Sequence, residues 1–121
     1  MSLACADIPD RIRALVAREI ADYDSVTEGR GPEGRQCPPY FVDWRRRSLA
    51  HFRESLCDPR AIEVNFAGGA VQTCWSVTRS NGAYRVIFLP RAGYFSLCVE
   101  SRYGPVDIGV HGNAIECFDS V

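Results

Sequence analysis

The sequence predicts an α+β fold in one domain over 1–121: two N-terminal helices, at 7–23 and 40–57, packed on one face of a five-stranded antiparallel β-meander at 70–121, a two-layer sandwich. Three observations carry this. From residue 70 onward apolar and polar residues alternate with period 2 between turn-forming pairs, the signature of strands with one buried face. Two earlier stretches repeat apolar residues at the helical period. And 121 residues with 46% hydrophobic and 24% charged content suit a single globular core.

In the first helix Asp7 is placed to cap, and Pro9 falls in the first turn, where a missing N–H costs nothing. Ile8, Ile12, Leu15, Ile20 and Tyr23 form its stripe, with Arg11, Arg18 and Asp22 elsewhere. A loop is expected at 24–39, with three glycines and three prolines. Its length points to a functional or a disordered segment. Phe41, Trp44, Ser48, Phe52 and Ser55 follow the period of the second helix, which Asp58-Pro59 should stop. Arg45, Arg46 and Arg47 point in three directions around it and read as solvated arginines whose stems cover apolar neighbours. Ile62, Val64 and Phe66 alternate as a short strand for the sheet edge, beside Val71 or Phe118, before Gly68-Gly69 breaks it.

The meander's strands are Val71 to Val77, then 84–89, 94–101, 106–111 and 114–118. Asn81-Gly82 is the favoured central pair of a type I′ hairpin, because both positions need positive φ. That turn sets Val77 opposite Val86 and Trp75 opposite Phe88. Closing the next hairpin through Pro90 and Gly93 sets Phe88 opposite Phe95, Val86 opposite Leu97 and Tyr84 opposite Val99. Leu97 then meets Val110 and Val99 lies near Ile108, while Val110 meets Ile115 and Ile108 meets Cys117. Every hairpin puts its apolar set on one side, which a one-residue slip would destroy. The opposite side is mixed: Cys74, Ser76, Arg85, Ile87, Leu89, Tyr94, Ser96, Cys98, Asp107 and Phe118 among others. Gly109 within a strand reads as a bulge or a close backbone approach.

The formal net charge is −1, so no bulk field favours nucleic acid or an anionic membrane, and neither is expected as a partner. All fourteen basic residues are arginine, which excludes Schiff-base, pyridoxal-phosphate and Walker lysine chemistry. Cysteines 5, 37, 57, 74, 98 and 117 include no Cys-x-x-Cys pair, and they read as reduced, buried thiols of a cytoplasmic, bacterial-type protein. No metal and no cofactor is expected. No apolar run approaches the ~20 residues of a spanning helix. Met1 to Leu3 carries no weight.

One reactive constellation emerges from the registers. Arg85 lies opposite Cys98, His111 opposite Ser96 and diagonal to Cys98, with Asp107, Glu100 and Glu116 on the same face. An arginine beside a thiol favours the thiolate, and a histidine can act as base. Cys98, His111, Asp107 and Arg85 are therefore the catalytic candidates. No oxyanion hole accompanies them, and a flat sheet excludes water poorly. His51 reads as a lone surface histidine.

The leading expectation is a non-catalytic module that binds a protein partner or itself through the mixed face. Ile87, Leu89, Tyr94 and Phe118 are its apolar anchors, with Arg85, Asp107 and Glu116 as polar contacts. A thiol-dependent enzyme using Cys98 and His111 is the second reading. Helices followed by a curved antiparallel sheet also resemble small NTF2-like pocket proteins and small bacterial immunity or chaperone-like proteins, without a shared motif. The first resemblance implies a small apolar ligand held between helices and sheet, lined by Trp44, Trp75 and Phe88.

Overall fold

The computed structural model describes residues 7–27 and 39–121. Most of the expected 24–39 loop, with Cys5 and Cys37, lies outside the described residues. Helix α1 is Asp7–Thr27 and α2 is Pro39–Ser55. Five strands follow: β1 Leu56–Asn65, β2 Val71–Thr78, β3 Tyr84–Leu89, β4 Tyr94–Ser101 and β5 Gly104–Gly112, and then a short helix α3, Ala114–Asp119.

The strands pair in chain order and close into a barrel. Neighbours run antiparallel, and β1 meets β5 in parallel through Asn65 and Val106. The expected registers hold in the first hairpins: Trp75 faces Phe88, Phe88 faces Phe95, Val86 faces Leu97 and Tyr84 faces Val99. On the next strand Leu97 faces Val110, but Val99 faces Val106 rather than Ile108. The register shifts at Ile108-Gly109, where Gly109 takes φ +78°, so the bulge read at this glycine is present and displaces the pairing below it.

The flat two-layer sandwich is corrected in three places. First, the sheet is a closed barrel. Its fifth strand is not 114–118 but β1, which enters beside β2 with Ile62 facing Cys74. Second, Asp58-Pro59 does not separate helix from strand. The helix ends at Ser55, and Pro59 sits inside β1 at a register shift between Leu56 and Arg60, where no ladder N–H is required of it. Third, 114–118 is helical. As a strand it would put Ala114 and Phe118 on the face opposite Ile115 and Cys117. As a helix it buries Ala114, Ile115 and Cys117, brings Phe118 onto the core and leaves Glu116 outside.

Two cores result. The larger lies between helices and sheet: Ile12 and Val16 of α1 and Leu49 and Phe52 of α2 meet Val77, Val86, Phe88, Phe95 and Leu97, and α3 adds its buried stripe. The smaller fills the barrel with Val64, Cys74, Ile87, Leu89 and Cys98, flanked by Ile62 and Phe66. The mixed side of the sheet is thus the barrel lining. Its mixture has a physical reason: a narrow barrel is filled by side chains, and the polar ones bond to one another there.

Candidate functional site

Inside the barrel the expected constellation is assembled but differently bonded. Cys98 faces Arg85 on one side and Asp107 on the other, and Ser96 faces His111. The Arg85 guanidinium does not turn to the thiol. It ion-pairs with Glu100 through Nε and donates from Nη1 to Ser76 Oγ at 3.4 Å. Ser76 in turn donates to the Thr78 carbonyl at 2.9 Å.

Cys98 is fully buried, and burial, reinforced by the Asp107 carboxylate, pushes its thiol up to about 12. The Arg85 charge works in the opposite direction and is the weakest contribution. Cys74 is likewise held up to about 11 by burial. Among thiols these are the reverse of activated.

Ser96, a residue the sequence reading did not single out, is completely buried and donates its hydroxyl hydrogen bond to Asp107. The other Asp107 oxygen lies 3.4 Å from His111 Nε2, and the His111 ring stacks on Tyr94 at 4.9 Å. Serine, aspartate and histidine are all present, but the carboxylate sits between the other two. In a nucleophilic triad the imidazole must touch the hydroxyl. This set satisfies a buried serine and anchors a surface histidine. Its signal was available: Ser96 alternates with Tyr94 and Cys98 on the inward side of β4.

The expected binding anchors separate. Ile87 is 0% exposed and Leu89 7%, both in the barrel interior. Tyr94, by contrast, is 40% exposed. It lines a groove of about 850 Å³ bounded by α1, the start of α2, the β3–β4 turn and the β5–α3 junction. Glu116 lines the same groove, while Phe118 and Arg85 line a smaller one of about 420 Å³ between α2 and the sheet, together with His51. Trp44, 48% exposed, borders both grooves, whereas Phe88 is fully buried against Phe95. Neither of these grooves brings together the three aromatics expected around a small apolar ligand, since Trp75 and Phe88 line neither.

The larger groove is built by four parts of the chain that are distant in sequence. Glu19 of α1 accepts from the Ile115 backbone N–H at 3.2 Å, capping α3 where the Asn113 side chain makes no such bond. Burial, the largest cause, and the nearby Glu116 charge raise the Glu19 pKa, against the hydrogen bonds from Ala114 and Ile115. Asp119, at the other end of α3, is also raised by burial, with Arg45, Ser48 and His51 opposing. The Arg45 guanidinium lies 3.6 Å over the Tyr23 ring and 5.5 Å from that of Phe41. Two guanidinium groups, Arg18 and Arg45, line the groove beside four carboxylates, Glu19, Asp22, Glu116 and Asp119, and a third guanidinium, that of Arg11, reaches the Gly93 turn at its edge.

Among the described residues no group of three or more His, Cys, Asp or Glu side chains is placed to hold a metal ion. No helix among them is long and apolar enough to cross a membrane. Comparison with family models, with curated proteins and with solved structures finds no match for this chain.

Proposed function

We propose that this protein is a non-catalytic binding module that takes a segment of a partner protein in the groove between α1, α2, the β3–β4 turn and α3. The observation that carries this reading is the pair of exposed rings, Trp44 and Tyr94, bordering one groove of about 850 Å³. Large aromatic side chains in a concave site are the groups from which interfaces draw most of their energy. The burial of Ile87 and Leu89 moves the binding surface off the mixed sheet side, and Tyr94 and Glu116 carry over to the groove. The inert environment of Cys98 weighs against the thiol-enzyme alternative.

The test is selection of displayed random peptides on the wild-type protein, followed by affinity measurement on Trp44→Ala and Tyr94→Ala. Peptides that lose at least about tenfold in affinity on either variant support the groove, in line with hot-spot truncations. Peptides indifferent to both changes, or a selection that enriches nothing, overturn it. Light scattering on the same samples detects the competing case, in which a second copy fills the site.

A further inference from the structure

We infer that the segment received by this groove is cationic and carries arginine; this rests on the groove being the binding site. Three features of the walls converge on that chemistry. The first is charge: Arg18 and Arg45 face four carboxylates, and neither Asp22 nor Glu116 has an ion-pair partner among the described residues. Of the two arginines, Arg45 is already committed to the rings of Tyr23 and Phe41. The second is solvation: Glu19 and Asp119 are half-buried carboxylates whose ionised forms are penalised by the loss of water. An incoming cation restores what the wall has taken from them, whereas an anion compounds the penalty. The third is shape. The Arg45–Tyr23 stack shows how this wall holds a planar guanidinium, face-on to a ring and close to the Asp119 carboxylate. Trp44 and Tyr94 bring two more exposed rings to the same groove, with His111 packed on the Tyr94 ring and Phe41 beside that of Trp44. Guanidinium stacks on such rings while its edge N–H groups reach carboxylates, a combination that the compact lysine ammonium does not match.

The probes are short peptides alternating glycine with arginine, lysine, glutamate or serine, titrated to millimolar concentration against the nitrogen-15-labelled protein. The arginine peptide is expected to shift the amides of Gly93, Gly112 and Asn113, which line the groove, and to do so less as salt screens the charges. The lysine peptide is expected to bind more weakly. Asp22→Arg with Glu116→Arg, both at exposed positions, should weaken the arginine peptide at least about tenfold while the remaining spectrum shows the fold intact. If the glutamate or serine peptide moves those amides and the arginine peptide does not, the cationic class falls and groove binding stands. If the arginine peptide moves only amides away from the groove, or none, the inference also falls; groove binding itself is then decided by whether display-selected peptides depend on Trp44 and Tyr94.

Discussion

Glu19 and Ile115, far apart in the chain, are joined by a hydrogen bond of 3.2 Å in which a carboxylate of α1 caps the first turn of α3. That bond fixes α3 against α1 and so determines one wall of the groove. Glu19→Ala removes the acceptor and leaves a helix N-terminus uncapped, which is expected to cost about 1–2 kcal/mol. Glu19→Gln keeps an acceptor and removes the charge. Because burial raises the Glu19 pKa in the folded state, the folded protein binds this proton more tightly than the unfolded chain. Stability from this group is therefore fully present below the ordinary carboxylate value and declines as pH rises through the raised one. Denaturant unfolding across pH 4 to 8 should show that decline in the wild type and its loss in Glu19→Gln. An unchanged slope in the variant would mean that another group, Asp119 first, is responsible.

Leu89→Asp separates the barrel from an exposed sheet. Leu89 packs in the barrel with Val64, Cys74, Ile87 and Cys98. An unpaired carboxylate there is expected to remove at least about 3 kcal/mol and leave little folded protein. Were the mixed side a solvent-facing docking surface, the same variant would stay folded and only change its association. Circular dichroism with light scattering distinguishes the two.

The hairpins at 71–101 were legible because turn chemistry and alternation agree: Asn81-Gly82 sets the first register and the apolar pairs Val86–Leu97 and Phe88–Phe95 confirm the next. What escaped was whatever depends on one long-range contact or on a choice between periods. In 114–118 the five residues are too short for either period to win, and the Glu19 cap that favours the helix comes from the far end of the chain. Pro59 reads as a boundary, yet a bulge accommodates it inside β1. Barrel closure hangs on Asn65 meeting Val106, a contact with no local signature. The reactive-looking cluster was legible in part: Arg85 faces Cys98 and His111 faces Ser96 as expected, but the Gly109 bulge brings Asp107 opposite Cys98, and register does not fix which partner a guanidinium chooses.

The buried thiols should be unreactive. With Cys98 held near 12, its thiolate fraction at pH 7 is roughly one in 100,000. Cys57, half-buried and less strongly shifted, should be the first of the described cysteines to be alkylated. Mass-spectrometric mapping after brief iodoacetamide treatment at pH 7.5 checks the order. Native labelling of Cys98 ahead of Cys57 would revive the thiol-enzyme reading.

Asn65 is the residue on which closure of the barrel turns. Its backbone meets Val106 across the β1–β5 seam, and its side-chain amide donates to the Tyr103 and Pro105 carbonyls, each at 3.2 Å. The amide thereby clamps the end of β1 onto the turn that leads into β5. Asn65→Leu keeps the bulk and removes both donors, an expected loss of about 1–3 kcal/mol for two bonds, one of them partly buried. The loss should be local before it is global: opening the seam exposes the amides around Val106, while the β3–β4 ladder, paired along its whole length from Tyr84 to Leu89, keeps its protection. Hydrogen exchange resolved by residue reads this directly. Uniform acceleration across all strands would instead make the seam part of one cooperative unit, with Asn65 acting on the whole fold.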